Sequence, residues 1–323
     1  MITFKNKTIV VTGGCGFIGS HLVDKLINLG ATVIVIDNLI SSTTEYIERY
    51  IGKENFWFYE EDIRDFEAMC DIFSRHDIDI VFHFAADPDV KNSVEKPFLS
   101  FYINVEGTLN ILEAMRKNDI DTIIFASSGG TLYGDVEEFP VTEDTPPKPI
   151  SPYGASKVSG EAYLSAYVGA YGFSAISLRL ANIFGPRSTH GVMFDFFHKL
   201  KKNKNELLIL GNGLQRKSYL YISDCIDAIM AITNHINKGF DAYNIGSEEW
   251  YTVNEIANLI VKALGLSNVK FKYTGGERGW AGDVKRMLLS IDKLKSINWK
   301  PKVSFEEGVK KYVSWLKEKY GWP

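Results

Sequence analysis

Tyr153 and Lys157, four residues apart, are the side chains of this sequence that best combine into a chemical site. They follow a proline-rich segment in which Ser151 is suited to cap a helix and Pro152 to occupy its first turn, so we expect both side chains on one helix face. A phenol with a pKa of about 10 acts as a base near neutrality only if that pKa falls by about three units. A neighbouring ammonium favours the phenolate, although the same spacing is also typical of a solvated helix face.

A glycine-rich turn near the N-terminus indicates a nucleotide site. Gly13, Gly16 and Gly19 lie between an apolar run and an amphipathic segment, where missing side chains allow a tight turn and a close approach of a pyrophosphate to the backbone. The following helix would add amide groups and a partial positive charge. Asp37 comes roughly 20 residues later, where a carboxylate binds the adenosine ribose hydroxyls and repels a 2′-phosphate. Taken alone, Asp37 is equally compatible with a strand-end turn, but together these residues predict NAD as the cofactor.

The elements that must position these residues alternate along the first half of the chain. The apolar runs TIVV, TVIVI, NFWFY, DIVFHFAA and TIIFASS are separated by longer amphipathic segments. Nearly continuous apolar strands are typical of a parallel sheet that helices cover on both faces. The sequence therefore predicts a doubly wound α/β fold with a smaller, interleaved C-terminal domain. We expect residues 1–180 to form the dinucleotide-binding domain, a segment near 217–247 to return to it, and residues 181–323 to form the second region.

Composition and charge exclude several classes of protein. The 323 residues include 36 Lys plus Arg and 40 Asp plus Glu, giving a formal net charge of -4, so no basic field attracts nucleic acid. The apolar runs are far shorter than the roughly 18 residues that a membrane span requires. Cys15, Cys70 and Cys225 are widely spaced, which predicts neither disulfides nor a metal site. We expect a cytoplasmic protein.

The carboxyl ends of the third and fourth apolar runs provide further candidate contacts. In open α/β sheets a ligand crevice lies at these ends. The candidates are Asp62, Ile63, Phe84, Ala85 and Ala86. His83, inside the fourth run, is interpreted as a hydrogen-bonded core histidine rather than as a catalyst.

Motifs spread over nearly the whole chain resemble those of extended short-chain dehydrogenases/reductases, in the nucleotide-sugar epimerase and dehydratase group, and the chain is UDP-glucose 4-epimerase-like. The motifs are TGGCGFIGSHL, IDN, HFAA, NVEGTLNILEA, SPYGASK, RLANIFGPR, GNGLQRKSYLYISD, YNIGS and GWAGD. The resemblance implies a Rossmann domain that holds NAD tightly, a carboxyl-terminal region that binds a nucleotide-linked sugar, and a homodimer. It also implies a catalytic set of Ser or Thr, Tyr and Lys.

The resemblance assigns roles residue by residue. Tyr153 would be the base and Lys157 its partner, and Ser128 would be the hydroxyl; Thr131 is kept in reserve because the loop ASSGGTLYGD departs from the usual spacing. Asn104 would order the groups around the site. The implied cofactor contacts are Gly13, Gly16, Phe17, Ile18, Gly19, Asp37, Asn38, Ser42, Asp62, Ile63, Phe84, Ala85, Ala86, Asn104, Tyr153 and Lys157. The implied substrate contacts are Ser128, Tyr153, Asn182, Val192, Arg216, Lys217, Arg278 and Asp283.

The candidate phosphate-binding cations depart from the family pattern. Lys217 falls where the family has an arginine, with Arg216 directly before it, so either cation is a candidate. Near Asp283, Trp280 replaces the usual arginine, and Arg278 is a candidate for its role. Each of these cations is also compatible with a solvated surface charge.

The loop after Ser128 distinguishes the reactions of this group. The dehydratases that the chain resembles have an Asp and Glu pair there, because elimination of water needs an acid and a base. This chain has Gly129 and Gly130 followed by Thr131. The sequence therefore predicts an NAD-dependent UDP-sugar 4-epimerase acting through a 4-keto sugar on UDP-glucose and UDP-galactose, and Met287 is interpreted as flexible enough to admit N-acetyl forms. A 2-epimerase, a UDP-glucuronate 4-epimerase, a 4-ketoreductase and a non-catalytic NAD-binding regulator remain alternatives.

Overall fold

A computed structural model describes residues 3–323, and a parallel sheet forms its centre. The sheet contains β1 (Thr8–Thr12), β2 (Thr32–Ile36), β3 (Phe56–Tyr59), β4 (Ile80–His83), β5 (Thr122–Ser127), β6 (Ser174–Leu180) and β10 (Gly239–Ile245). Its seven strands are arranged in the order β10-β6-β5-β4-β1-β2-β3. The order changes direction between β1 and β4, so the crevice expected at such a point lies at their carboxyl ends.

Two smaller sheets form most of the second region. One is built around β9 (Arg216–Tyr221), with β11 (Trp250–Thr252) antiparallel to it and β7 (Asn182–Phe184) and β13 (Arg286–Met287) parallel to it. The other pairs β8 (Glu206–Ile209) with β12 (Lys270–Tyr273). In the sequence, β10 follows most of the second region, but it pairs with β6 in the main sheet. The two parts of the chain are therefore interleaved.

Helices cover both faces of the main sheet, as the continuous apolar strands predicted. The helices are α1 (Phe17–Asn28), α2 (Phe66–Ser74), α3 (Val90–Glu95), α4 (Pro97–Phe101), α5 (Gly107–Lys117), α6 (Pro152–Tyr171), α7 (Val192–Lys202), α8 (Ile222–Thr233), α9 (Val253–Leu264), α10 (Asp292–Ser296) and α11 (Phe305–Tyr320). Short 3-10 turns span Thr44–Tyr46 and Glu48–Tyr50. Buried residues of α1 and α8 pack on one face of the sheet, and those of α2, α5 and α6 on the other. A further core joins α7, α9 and α11. The predicted Rossmann-type α/β fold is confirmed.

The helix that carries the candidate base begins where the sequence indicates. Ser151 is the N-cap of α6, its hydroxyl accepts the Gly154 N–H at 3.1 Å, and Pro152 occupies the first turn. Gly172, with φ of 73°, ends the helix in the left-handed conformation. A π-helical turn, Tyr102–Glu106, joins α4 to α5 and was not expected from the sequence. Among residues 3–323, every helix is too short or too polar to cross a bilayer.

Candidate functional site

The glycine turn between β1 and α1 packs directly on the loop after β4. Gly13 has φ of 69°, and a Cβ there would lie 2.7 Å from the Ala85 nitrogen. A Cβ at Gly19 would lie 2.1 Å from the Gly13 carbonyl oxygen, so neither position tolerates a side chain. Gly16 precedes α1 and provides no side-chain cap, which leaves the first amides of α1, beginning at Phe17 and Ile18, to other acceptors. This arrangement fits a pyrophosphate at the helix N-terminus.

Asp37 is buried at the end of β2, beside the glycine turn. Its carboxylate accepts the Cys15 and Leu39 N–H groups, each at 3.0 Å, and the Ser42 hydroxyl at 2.8 Å. These bonds fix the carboxylate while leaving part of its acceptor capacity for ribose hydroxyls. Ser42 lies next to Asp37 and supports it.

Asn38 and Asp62 are brought together from neighbouring strands. The Asn38 amide donates to Asp62 at 2.8 Å, and Arg64 forms a bidentate pair with the same carboxylate. The Arg64 guanidinium lowers the pKa of Asp62 to about 2. Ile63 is buried against Gly107, where a Cβ would lie 2.5 Å from the Ile63 Cδ1 atom. Two of the candidate cofactor contacts, Asn38 and Asp62, are therefore held together by hydrogen bonds, and a third, Ile63, is fixed by packing.

Ser128, Tyr153 and Lys157 come together at the carboxyl end of β5. The Lys157 ammonium lies 5.7 Å from the centroid of the Tyr153 ring and donates to the Ala126 carbonyl at 2.9 Å. The Ser128 hydroxyl interacts with the Tyr153 phenol. The Thr131 hydroxyl donates to the Ser128 hydroxyl at 2.8 Å, so the reserve candidate is in direct contact with Ser128.

The protein alone does not make the Tyr153 phenol acidic, and this differs from the expectation. Burial raises the pKa of Tyr153 to about 12; the Ser128 hydroxyl opposes this change and the negative charge of Asp87 reinforces it. Burial also lowers the pKa of Lys157 to about 8. The reason is that burial disfavours both charged forms, while the ammonium is directed at the Ala126 carbonyl.

Asn104 joins the loop after β4 to α6. It is only 2% exposed, its amide oxygen accepts the Asp87 N–H at 2.8 Å, and its amide nitrogen donates to the Asp87 carbonyl at 3.1 Å and the Ser156 hydroxyl at 3.0 Å. It thus orders the site through protein groups, while Phe84 and Ala86 lie on the loop that it holds. Sequence reasoning missed Ser156 and Asp87. The available signals were a serine directly before Lys157 and an acidic residue directly after HFAA.

Lys217, Arg278 and Asp283 form one cluster in the second region. The Lys217 ammonium pairs with the Asp283 carboxylate at 2.6 Å, and Arg278 donates to the Asp283 carbonyl at 2.5 Å. Arg278 also forms an ion pair with Asp135. The Trp280 ring lies 5.8 Å from the Lys217 ammonium. Sequence reasoning treated Trp280 only as a missing arginine.

Arg216 is not part of this cluster. Neighbouring residues of a strand point to opposite faces, and the Arg216 guanidinium lies 4.8 Å over the Trp250 ring. Lys217 is therefore the cation that the structure places beside Asp283. Asn182 lies on the adjoining β7 and donates to the Ser218 carbonyl at 3.1 Å. Val192 begins α7 and packs against the core of α7, α9 and α11.

Met287 does not occupy the position expected for a residue that tunes substrate size. It is 1% exposed and belongs to an apolar cluster with Leu132, Tyr133 and Leu289. Its side chain therefore packs inside this cluster. His83, by contrast, is the buried, hydrogen-bonded histidine that the sequence indicated.

Comparisons with known proteins find relatives that match nearly the whole chain. A family model described as GDP-mannose 4,6 dehydratase matches residues 10–312. A putative UDP-glucose 4-epimerase of Methanocaldococcus jannaschii is 39% identical over 313 residues, which cover 96% of this chain and 98% of that protein. The structure of a UDP-glucose 4-epimerase with UDP-glucose from Thermotoga maritima has a TM-score of 0.89 and 38% identity, covering 97% and 99% of the two chains. A UDP-glucose 4-epimerase in complex with NAD from Thermus thermophilus has a TM-score of 0.87 and 35% identity, covering 96% and 99%.

The matched segment contains the whole site described above. The glycine turn, Asp37, the residues around Tyr153 and the Lys217–Asp283 pair all lie between residues 10 and 312. The solved relatives share the fold over nearly the full chain. The protein therefore belongs to the nucleotide-sugar epimerase and dehydratase family of extended short-chain dehydrogenases/reductases.

Proposed function

We propose that this protein is an NAD-dependent UDP-sugar 4-epimerase that interconverts UDP-glucose and UDP-galactose. The observation that carries the proposal is the grouping of Ser128, Tyr153 and Lys157 beside a loop that has two glycines and a threonine, and no carboxylate, directly after Ser128. At Gly129 a Cβ would lie 2.6 Å from a Leu289 methyl group and 2.8 Å from the Arg179 carbonyl oxygen. This position cannot hold the acid that elimination of water requires. The two relatives of 38% and 39% identity reported above, both named UDP-glucose 4-epimerases, support the same reaction.

NAD fits the residues at the crevice. The glycine turn and the first amides of α1 would hold its pyrophosphate, and Asp37 its adenosine ribose. When bound, NAD supplies a hydride acceptor that returns the hydride, together with a positive charge. Because the cofactor is regenerated in each cycle, we expect it to remain bound to the purified protein.

Tyr153 is proposed to take the proton of the sugar 4-hydroxyl while Ser128 donates a hydrogen bond to the same oxygen. The pKa of Tyr153, about 12 in the protein alone, must approach 7 for this role. That change corresponds to about 7 kcal/mol of differential stabilisation of the phenolate. Lys157 can contribute part of it through its ammonium charge, which is buried and weakly screened. Tyr153 then returns the proton after reduction on the opposite face of the sugar.

The second region is proposed to bind the nucleotide diphosphate. Lys217 uses one of its three N–H donors on Asp283, which leaves two for phosphate oxygens. Arg278 adds a second positive charge beside the same carboxylate. Because Asp283 is 4% exposed and already paired, it orients these cations rather than repelling the ligand.

A 4,6-dehydratase is the second candidate because Asp87 brings one carboxylate close enough to Tyr153 to affect its pKa. A single carboxylate does not provide both the acid and the base of the elimination. Proton NMR and mass measurement of the products from UDP-glucose, UDP-galactose, UDP-N-acetylglucosamine and UDP-glucuronate separate the candidates. Inversion at carbon 4 without mass change supports the epimerase. Loss of water or carbon dioxide contradicts it.

The Tyr153→Phe variant tests the role of the phenol. We expect kcat to fall at least about 100-fold, because general base catalysis contributes on this order. Tyr163→Phe is the matched control, since Tyr163 lies on the same helix but is 38% exposed. Retention of wild-type turnover by Tyr153→Phe would exclude Tyr153 as the base. Denaturing the wild-type protein and identifying the released dinucleotide separates NAD from NADP.

A further inference from the structure

His83 lies at the centre of a buried chain of hydrogen bonds. Its Nδ1 atom is 2.7 Å from the Thr12 hydroxyl, and its Nε2 atom is 3.0 Å from the Thr108 hydroxyl. Beyond these residues, the Ala85 N–H donates to Thr12 at 3.2 Å, and Thr108 donates to the Asn104 carbonyl at 2.6 Å. The three side chains at the centre are at most 1% exposed, so water cannot replace any of these partners. We call these five residues the His83 chain.

The chemistry of the end groups fixes the position of every proton in the His83 chain. A carbonyl oxygen only accepts, so the Thr108 hydroxyl donates to Asn104 and must accept from Nε2–H of His83. A backbone N–H only donates, so Thr12 accepts from Ala85, and Nδ1 of His83 is the acceptor within hydrogen-bond distance of the Thr12 hydroxyl proton. The imidazole is therefore neutral, with its proton on Nε2. A second ring proton would leave the Thr12 hydroxyl proton buried without an acceptor.

Both ends of the His83 chain lie on elements of the proposed active site. Ala85 belongs to the loop that contacts the glycine turn, where a Cβ on Gly13 would lie 2.7 Å from the Ala85 nitrogen. At the other end, Asn104 is bonded through its side chain to Asp87 and to Ser156, which is adjacent to Lys157 on α6. The His83 chain therefore extends from the cofactor side of the crevice to the helix that carries the proposed base. Burial, and the neighbouring charge of Lys157, lower the pKa of His83 to about 3, in agreement with a neutral ring.

We infer that His83 is a positioning residue, held in its neutral Nε2–H form, that fixes the cofactor-side loop relative to Asn104 and thereby to Tyr153 and Lys157. This inference rests on the proposed epimerase function. It does not make His83 a proton carrier, since both ring nitrogens are already bonded. Its effect is geometric, and small displacements of reacting groups reduce turnover strongly.

The substitution Thr108→Val tests the inference with a matched control. It removes the acceptor of His83 Nε2–H at nearly constant volume. Thr233 is also buried on a helix and donates to the carbonyl four residues earlier, Ile229, at 2.7 Å, but it lies outside the His83 chain. We expect both variants to lower the melting temperature, and Thr108→Val to lower it more, because it also leaves the buried Nε2–H of His83 without an acceptor. Only Thr108→Val should lower kcat, by at least about 10-fold, with KM for UDP-glucose changed less than about two-fold.

The tautomer is tested separately by nitrogen-15 NMR of the histidine-labelled full-length protein, with His83→Gln used to assign the signal. We expect the His83 ring to show one protonated and one unprotonated nitrogen, with the proton on Nε2, and no titration between about pH 5 and 9. Thr108→Val should disturb this pattern and Thr233→Val should not.

Wild-type kcat in Thr108→Val would overturn the inference, and so would a His83 ring that titrates in this range or carries its proton on Nδ1. Equal losses of kcat in both threonine variants would also overturn it, because they would indicate a general loss of stability. A wild-type protein without epimerase activity would instead refute the proposed function, and the NMR experiment would still decide the state of the His83 chain.

Discussion

Burial shifts the pKa values of Tyr153 and Lys157 in opposite directions. It raises the pKa of the phenol to about 12 and lowers the pKa of the ammonium to about 8. Both changes favour the uncharged form of each side chain. Catalysis by the proposed route needs the two charged forms together, a phenolate and an ammonium. The reactive state of the pair is therefore one that bound ligands must stabilise.

The pH dependence of kcat/KM should show the ionisation of Lys157. Because the cationic form of Lys157 is lost as the pH rises through its lowered pKa, kcat/KM should decrease above about pH 8. In Lys157→Arg, the guanidinium stays charged up to about pH 12, so the decrease should disappear even if kcat is reduced by the different shape of the cation. An alkaline decrease of equal position in both proteins would contradict this assignment.

At the scale of elements, the first turn of α6 positions the candidate base, Tyr153. The Ser151 hydroxyl accepts the Gly154 N–H, and Ser93 on α3 accepts the Tyr153 N–H at 3.1 Å. Two of the free amides of the first turn are thus satisfied by hydroxyls from the protein. The direction of the first turn, which carries Tyr153, depends on these bonds.

Ser151→Ala should lower both stability and turnover. Loss of an N-cap hydroxyl costs about 1 kcal/mol. Ser304 is the matched control, because it caps α11 and accepts the Glu307 N–H at 3.3 Å, far along the chain from Tyr153. Denaturant unfolding should show similar losses for Ser151→Ala and Ser304→Ala, whereas kcat should fall only for Ser151→Ala. Unchanged kcat in Ser151→Ala would show that the first turn is held by other contacts.

The sequence was sufficient for local features whose physical cause is local. The apolar strands, the glycine turn, the Ser151 cap and the helical spacing of Tyr153 and Lys157 each follow from neighbouring residues. Features that depend on distant partners could not be predicted. The π-helical turn carrying Asn104, the choice between Arg216 and Lys217, and the pKa of Tyr153 depend on packing between elements.

At the scale of the whole molecule, an aromatic surface remains exposed on the segment before α5. Phe98, Phe101 and Tyr102 are 73%, 51% and 46% exposed. Their rings contact one another, with centroids 6.3 Å apart for Phe98 and Tyr102 and 5.7 Å apart for Phe101 and Tyr102. Contiguous apolar patches on a protein surface are common at sites of interaction. Because the family resemblance implies a homodimer, we propose that a second copy of the chain covers this surface.

Phe98→Asp should weaken this dimer. Placing a carboxylate in an apolar interface should raise the dissociation constant at least about 10-fold, because aromatic anchors contribute a large share of interface energy. Ile51→Asp is the control, since Ile51 is 51% exposed and lies outside the aromatic surface. Sedimentation equilibrium measures both variants. A wild-type protein that is monomeric at all concentrations, or a dimer unaffected by Phe98→Asp, would refute the proposal.

Because β10 belongs to the main sheet, the first 180 residues do not contain the complete sheet. A fragment that ends at residue 180 would lack β10, and the backbone N–H and C=O groups of β6 that pair with Gly239–Ile245 would face solvent. An uncovered edge of seven residues with buried, mostly apolar side chains invites pairing with other chains. Residues 1–180 should therefore aggregate when produced alone, whereas the full chain, in which β10 covers this edge, should not.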